Sequence, residues 1–210
     1  MMNLKSQISN FRYQISDIRF QISNPRFPIS NLLSLLLLIA APLALAEDPR
    51  PPAFPRGTLS FQTYGTYSGG LGEFTNTASA AAGVGYYVFD NLSLSLEASG
   101  YRAQNAPGRD AWMYGVSGVL RHHVIQLDRA TFFIDAGFGP VEATARVPVG
   151  GTYFNFITRV GIGATFQLKE HTYLIGGARY FHLSNARIDG PTRNPSINGV
   201  EGFLGVMWTF

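Results

Sequence analysis

A histidine and a serine stand two residues apart in the segment HLSNA, which runs from His182 to Ala186. An imidazole can serve as the general base for a serine hydroxyl, so this pair has the residue types of a hydrolase site. The same residue types also close strand-to-loop corners by hydrogen bonding to backbone groups, with no catalytic role. The choice between the two depends on the element that carries the pair and on the face to which the pair points.

The chain downstream of Gly57 alternates between apolar and polar positions, which is typical of strands with two different faces. In residues 154–168 the even positions are mostly apolar, whereas the odd positions carry Asn155, Arg159 and two glycines. Eight such segments are found, at 58–68, 75–88, 92–102, 111–123, 130–140, 152–167, 172–183 and 199–210. Short turns at 89–91, 127–129 and 168–171 alternate with longer loops near 69–74, 103–110, 141–151 and 184–198.

This arrangement predicts an all-β fold, an eight-stranded antiparallel transmembrane β-barrel of the outer membrane, because such barrels have short turns at one end and long loops at the other. A soluble barrel or a sandwich is the alternative, but either would point the apolar face inward. The polar face instead suits a small hydrated interior, with charged candidates at Glu97, Arg121, Asp135, Arg159, Arg179 and Glu201. Aromatic residues near the segment ends fit interfacial girdles, at Trp112, Tyr114, Tyr153, Tyr180 and Trp208.

The first part of the chain is expected to be removed before the protein folds. Residues 1–31 contain a seven-residue repeat and are predicted to lie outside the fold. Residues 32–46 have the short apolar core and small residues of a Sec-type signal peptide, with cleavage near Ala46. Residues 47–57 form a proline-rich periplasmic lead-in that is expected to be extended and unpaired, and residues 58–210 form the barrel.

The charge of the chain excludes one large class of partners. The whole chain has 16 basic and 13 acidic residues, but residues 1–46 hold four of the basic and one of the acidic residues, so the mature part is neutral. Nucleic-acid binding therefore has no electrostatic support. The chain has no cysteine, and its adjacent histidines, His122 and His123, point to opposite faces of a strand. No metal and no other cofactor is expected.

The predicted topology indicates at which end of the barrel the histidine–serine pair lies. An even-stranded barrel has both chain ends in the periplasm, so the loop at 184–198 is the last extracellular loop. On strand seven, His182 and Ser184 share the even, lipid-facing side with Tyr180. Residues two apart on one face lie roughly 6–7 Å apart along a strand, a gap that an imidazole can close. We therefore expect a His–Ser pair at the outer rim, facing the outer leaflet.

Two short motifs and the chain end resemble one enzyme family. The HLSNA block at 182–186 ends the penultimate strand, the segment NPSIN occupies 194–198, and the last strand ends in Phe210. This pattern is similar to that of the lipid A 3-O-deacylase (acyloxyacyl hydrolase) family of eight-stranded outer-membrane barrels. The resemblance implies a carboxylic-ester hydrolase in which Ser184 is the nucleophile and His182 its base, while Asn185 and Asn194 hold the oxyanion.

In the family a third residue orients the histidine, and at that position this chain departs from the family pattern. The family has a glutamate where this chain has Asn198. Glu201 is nearby, but its odd position puts it on the lumen face, and Asp189 could supply the acid if the alignment of the loop slips. An asparagine can orient a histidine by a hydrogen bond but cannot stabilise an imidazolium by charge.

The resemblance implies a serine esterase that modifies lipopolysaccharide, with lipid A of the outer leaflet as its partner. Arg146 and Arg187, in or beside the extracellular loops, are candidates for lipid A phosphates. Phe210 resembles the signal that barrel-assembly machinery reads, and a homodimer is left open. Two other functions are also left open: a non-catalytic structural or adhesive barrel that has lost the acidic triad member, and an acyl transferase. A transport pore is disfavoured because side chains fill eight-stranded interiors.

Overall fold

Eight antiparallel strands form a closed barrel in the computed structural model, which describes residues 51–70, 75–105, 110–190 and 193–210. Each strand pairs with its neighbours in sequence, and β8 pairs with β1 to close the barrel. The strands are β1 (Leu59–Gly70), β2 (Thr75–Phe89), β3 (Leu92–Asn105), β4 (Ala111–Gln126), β5 (Ala130–Val147), β6 (Thr152–Lys169), β7 (Thr172–Ser184) and β8 (Ile197–Thr209). The predicted fold class is confirmed.

The N-terminal predictions concern a part of the chain outside the described residues. The repeat-containing leader at 1–31, the signal peptide at 32–46 and the first residues of the lead-in all lie there. Within the described residues, no helix has the length and apolar character needed to cross a membrane.

The alternation read from the sequence matches the two faces of the wall. In β6 the odd residues Asn155, Ile157 and Arg159 are buried, whereas the even residues Phe154 and Ile162 are exposed. Every strand has two faces because successive side chains point to opposite sides of a sheet. The exposed band of leucine, valine, phenylalanine and tyrosine side chains is therefore the outer surface of the barrel.

The fifth strand is longer than predicted. It was expected to end at Pro140, but it continues to Val147. Pro140 lacks a backbone N–H and cannot donate a hydrogen bond to a neighbouring strand. At this point two residue pairs are missing from the register of β4 with β5, between Gly115↔Val141 and Gly118↔Phe138. The strand continues because β6 still pairs with it, and because Val141 and Val147 are buried in the interior. The expected loop at 141–151 is thus only the short segment 148–151.

The interior has three layers rather than one hydrated space. A buried ionic layer contains all six charged residues that the sequence placed in the lumen: Glu97, Arg121, Asp135, Arg159, Arg179 and Glu201. One apolar cluster lies on the side of this layer towards the long loops and includes Tyr101, Met113, Phe181 and Leu183. A second lies towards the short turns and includes Phe54, Tyr87, Phe133 and Met207. The interior is more apolar than predicted, because large side chains occupy inward positions near both strand ends.

The two ends of the barrel differ in their connections. The turns at 90–91, 127–129 and 170–171 lie at one end, together with both ends of the described chain, and this is called the short-turn end. Two of these turns contain a residue with a left-handed backbone, Asn91 with φ 60° and His171 with φ 59°. The opposite end of the barrel, where β1, β3, β5 and β7 end and β2, β4, β6 and β8 begin, is called the long-loop end.

Residues 51–57 are attached to the short-turn end, so the expectation that the lead-in is unpaired is wrong. Phe54 is 1% exposed and stacks on Tyr87 with ring centroids 5.0 Å apart. Its backbone N–H donates to Oδ1 of Asn91 and its carbonyl accepts from the Asn91 N–H. The backbone N–H of Arg56 donates to Oδ1 of Asp90 at 2.7 Å. This proline-rich segment stays in place because the side chains and backbone of the adjacent β2–β3 turn form hydrogen bonds with its backbone.

The Phe54 ring is expected to hold this segment in place. In Phe54→Ala we expect trypsin to cleave after Arg56 at least about tenfold faster than in the wild type, because the segment opens locally without unfolding the barrel. The measurement is a time course of refolded protein with trypsin, followed by intact mass. Phe89→Ala is the matched control, since Phe89 lies at the same end and is 63% exposed. Equal cleavage of wild type and Phe54→Ala would mean that backbone hydrogen bonds alone fix the segment.

Candidate active site

The candidate site is formed where β7 ends and β8 begins, on the outer face of the barrel. The register pairs His182 with Asn198 across β7 and β8, and it pairs Ser184 with Phe156 across β7 and β6. His182 and Asn198 are half-buried and Ser184 is 8% exposed. The even positions of both strands face outward, which brings these three side chains to the same surface near the long-loop end.

The two ring nitrogens of His182 have different partners. Nε2 lies 2.9 Å from Oγ of Ser184, and Nδ1 lies 2.8 Å from Oδ1 of Asn198. With Oδ1 of Asn198 as an acceptor, Nδ1 carries the proton and the lone pair of Nε2 faces the serine hydroxyl. This tautomer is the one in which an imidazole can accept a proton from serine. The imidazole thus spans the gap between two residues that are two apart on one face of a strand.

Neither alternative acid contacts the histidine. Glu201 is 1% exposed and points into the barrel, where its carboxylate lies 3.6 Å from Nη1 of Arg179. Asp189 is exposed in the turn that follows Asn185. Since both ring nitrogens of His182 are already engaged by Asn198 and Ser184, the structure brings Asn198 to the histidine, and not Asp189 or Glu201.

The two asparagines suggested for the oxyanion have different surroundings. Asn185 is 2% exposed, its Nδ2 donates to the carbonyl of Arg193 at 2.8 Å and its Oδ1 accepts from the N–H of Arg187 at 2.9 Å. These bonds organise a turn in which Ala186 and Arg187 have φ of 53° and 64°. Oδ1 of Asn194 accepts from the backbone N–H of Asn185 at 3.0 Å. Because Oδ1 of Asn194 is engaged in this bond, the other end of its amide is the donor group, Nδ2.

The surface beside Ser184 is aromatic. Phe156, which pairs with Ser184, stacks on Phe138 at a centroid distance of 5.4 Å and meets Phe154 edge-on at 5.2 Å. Phe138 and Phe154 are 48% and 43% exposed. The serine hydroxyl thus lies at the border between a polar corner and an apolar outer wall.

The two arginines suggested for phosphate binding both lie at the long-loop end of the barrel. Arg187 is exposed in the turn after Asn185, and Arg146 is exposed near the end of β5. Among the described residues, no group of three or more histidine, aspartate or glutamate side chains is arranged to hold a metal ion.

A family model described as lipid A 3-O-deacylase (PagL) matches residues 57–207, which is most of the chain. The chain belongs to the lipid A 3-O-deacylase (PagL) family. The resemblance that the two motifs indicated is thereby confirmed, and the matched range covers the whole barrel except for the last residues of β8.

Solved structures of other outer-membrane proteins share this fold. The crystal structure of the outer membrane enzyme PagL matches with a TM-score of 0.52 and 21% identity, covering 70% of this chain and 97% of that one. The crystal structure of Neisserial surface protein A (NspA) matches with a TM-score of 0.55 and 16% identity, covering 73% and 96%. These likenesses concern the fold. Among curated proteins, none matches this chain at a significant level.

Membership of the PagL family, together with the barrel, identifies the protein as a β-barrel of the outer membrane and as a member of a family of lipid A deacylases. The predicted fold and localisation are confirmed. The exposed aromatic residues Trp112, Tyr114, Tyr153 and Tyr180 fit the girdles of such a barrel.

One residue of the site was assigned a different role by the sequence. Tyr180 was assigned to the girdle, but its hydroxyl donates to Oδ1 of Asn198 at 2.6 Å, the same oxygen that faces His182. The sequence could have indicated this role, because Tyr180 is two residues before His182 and side chains two apart in a strand lie on the same face. The contact itself depends on the register between β7 and β8, which could not be predicted from the sequence.

Proposed function

We propose that this chain is an outer-membrane serine esterase that hydrolyses an ester-linked hydroxyacyl chain of lipid A. The observation that carries the proposal is the contact of His182 with both Ser184 and Asn198, at 2.9 and 2.8 Å, on the outward face of a barrel of this family. A serine whose base is itself oriented by a third group is the arrangement of an activated nucleophile.

The place of the site suits a substrate held in a membrane. The long-loop end is proposed to be extracellular, as in other outer-membrane barrels, which puts Ser184 at the rim of the outer leaflet. Lipid A in that leaflet presents its acyl esters to the outer wall of the barrel and does not need to enter the interior. The aromatic surface of Phe138, Phe154 and Phe156 would contact the acyl chain while the ester lies at Ser184.

The proposed reaction proceeds through an acyl-enzyme. Nε2 of His182 takes the proton of Ser184 as Oγ attacks the ester carbonyl, and the resulting tetrahedral intermediate carries a negative oxygen. When the bond to the sugar oxygen breaks, His182 returns the proton to that oxygen, which leaves as the hydroxyl of the deacylated lipid. Water then attacks the acyl–serine ester, with His182 again as the base, and releases the fatty acid and free Ser184. No metal or other cofactor takes part in these steps.

We assign different tasks to the two asparagines in this reaction. Nδ2 of Asn194 is proposed to donate to the developing oxyanion, because Oδ1 of the same amide is engaged by the Asn185 N–H. Asn185 is proposed to act mainly by organising the turn after the nucleophile, because both ends of its amide bind backbone groups of that loop. Exposed Arg187 and Arg146 are proposed to contact the phosphates of lipid A.

The competing proposal is a non-catalytic structural or adhesive barrel, and Asn198 is the observation that favours it. An amide cannot stabilise the imidazolium that forms during acyl transfer, and for the serine protease triad the acid-to-amide change costs about 10⁴ in rate. We favour the esterase because the amide nevertheless orients His182 for proton transfer, and because Ser184 and His182 are already in contact.

The test is the mass of lipid A after incubation with refolded protein in detergent. We expect the wild type to release one hydroxyacyl chain and Ser184→Ala to release none, because the substitution removes the nucleophile. Ser117→Ala is the matched control, since Ser117 is a buried serine of the interior whose hydroxyl makes no hydrogen bond within the described part of the chain. We expect it to retain full activity.

Folded wild-type protein that leaves several forms of lipid A intact would contradict the esterase and favour the non-catalytic barrel. Loss of a chain that persists in Ser184→Ala would exclude Ser184 as the nucleophile. Transfer of the chain to another lipid in place of its release as a fatty acid would identify an acyl transferase.

A further inference from the structure

The group that orients His182 is an amide, and an amide has two chemically different ends. With Oδ1 of Asn198 towards the ring, Nδ1 must carry the proton and Nε2 is free to accept one. If the amide is rotated by half a turn, Nδ2 donates to Nδ1 instead, and the proton of the ring moves to Nε2. Nε2 then donates to Ser184 and cannot take its proton. A carboxylate at this position, as in the family pattern, has no such second state.

Tyr180 contacts the same amide oxygen from the other side. Its hydroxyl donates to Oδ1 of Asn198 at 2.6 Å, and within the described residues this is the one hydrogen bond of the phenol. Oδ1 thus receives two donors, Tyr180 Oη–H and His182 Nδ1–H, which matches its two lone pairs.

The rotated amide is less favourable because of this tyrosine. Nδ2 would face the phenol oxygen and could donate to it, but the phenol proton would lose its acceptor and Oδ1 would turn away from both of its donors. Tyr180 is 46% exposed on the outer face of the barrel. A phenol proton and an amide oxygen that both lose their partners disfavour the rotated amide relative to the observed one.

We propose that Tyr180 is a positioning residue that keeps Oδ1 of Asn198 towards His182 and thereby keeps Nε2 of the histidine free for the proton of Ser184. This inference rests on the proposed function for its effect on turnover, but the state of the ring that it concerns exists without substrate. Tyr180 compensates for the asparagine, so its hydroxyl matters only while the orienting group is an amide.

The first experiment measures the coupling between the two positions. Rates of lipid A deacylation are compared for the wild type, Tyr180→Phe, Asn198→Glu and the double variant. We expect Tyr180→Phe to lower kcat by about tenfold with little change in KM, which is the range of one hydrogen bond. In the Asn198→Glu background the same change is expected to lower kcat by less than about threefold, because both carboxylate oxygens accept protons. Tyr114→Phe, which changes another exposed tyrosine of the outer face, is the control.

The second experiment reads the tautomer directly and does not need activity. The full-length protein is labelled with ¹⁵N-histidine in detergent micelles, and the His182 signals are assigned by their absence in His182→Gln. We expect the wild type to carry its proton on Nδ1 and Tyr180→Phe to show a mixture with the Nε2 tautomer. The mixture is expected to disappear in the double variant with Asn198→Glu.

The outcomes separate the two proposals. An Nε2 proton in the wild type, or an unchanged tautomer and kcat in Tyr180→Phe, would overturn the role of Tyr180. An equal loss of kcat in both backgrounds would also overturn it, since it would assign the hydroxyl a merely structural or substrate-binding effect. The expected tautomers in a protein that does not hydrolyse lipid A would support the positioning role while rejecting the esterase.

Discussion

Replacing His182 with glutamine is expected to reduce the rate of lipid A deacylation by at least about 10⁴-fold, because in serine hydrolases the base and nucleophile act as one unit. Glutamine keeps a polar side chain at the surface, and its amide can still form a hydrogen bond with Ser184. It cannot accept the serine proton, so Oγ remains a neutral hydroxyl when the ester approaches. Both formation and hydrolysis of the acyl-enzyme depend on the same nitrogen, Nε2, which lies 2.9 Å from Oγ.

Two measurements check this prediction. The first is the initial rate of fatty acid release, and the second is covalent labelling of the protein by a fluorophosphonate, which requires an activated serine but no lipid. We expect His182→Gln to lose both, while electrophoretic mobility shows that the barrel remains folded. His122→Gln is the matched control, because His122 is also half-buried on the outward side of its strand but lies near the short-turn end. Labelling of Ser184 at the wild-type rate in His182→Gln would show that His182 does not activate the serine.

The parity of strand residues made much of this site predictable. Alternation in β7 and β8 placed His182 and Ser184 on the outward face and Glu201 on the inward face, and the structure has both placements. The choice between Asn198 and Asp189 was not accessible from the sequence, because it depends on which residue of β8 lies opposite His182. A shift of one residue in this register would turn the side chain of Asn198 to the other face.

Two features of the fold could not be predicted from the sequence, because contacts with distant residues outweigh the local preference of the chain. Pro140 is a strand breaker by its chemistry, yet β5 passes through it, since β6 pairs on its other side and Val141 is buried in the barrel. Phe54 lies in a proline-rich segment without periodicity, and it is buried because its ring packs against Tyr87, His123 and Tyr173 of distant strands. In both cases the interior of a closed barrel provided burial that no short stretch of sequence reveals.

The ionic layer of the interior connects the strands that carry the site. Asp135 of β5 accepts from Nε and Nη2 of Arg121 in β4 and from Nε and Nη2 of Arg179 in β7, at 2.7–3.3 Å. Arg179 is paired with Glu201 of β8 in the register, and its guanidinium also stacks over Phe203 at 4.1 Å. His182 and Asn198 are three pairs further along the same two strands, on the opposite face. The inner and outer groups therefore depend on the same alignment of β7 with β8.

Removing the carboxylate in Asp135→Ala is expected to lower the free energy of unfolding of the barrel by about 3–5 kcal/mol, because two buried guanidinium groups lose their shared partner. Both arginines are almost fully buried, with 3% and 1% of their side chains exposed, so water cannot replace the lost carboxylate without opening the wall. The measurement is unfolding by guanidinium chloride in lipid vesicles, followed by tryptophan fluorescence. Glu142→Ala removes a carboxylate from the same strand on its exposed outer face, and we expect it to change the stability by less than about 0.5 kcal/mol.

The effect of Asp135→Ala on catalysis should differ from its effect on stability. Molecules that remain folded are expected to keep the backbone pairing of β7 with β8 and the contact of Glu201 with Arg179, which lie 3.6 Å apart in the unsubstituted protein. We therefore expect kcat per folded molecule to stay within about threefold of the wild type, since no atom of His182, Ser184 or Asn198 touches the ionic layer. A fall in kcat as large as that of His182→Gln, in protein shown to be folded, would mean that the interior charges set the geometry of the outer site and do more than hold the barrel closed.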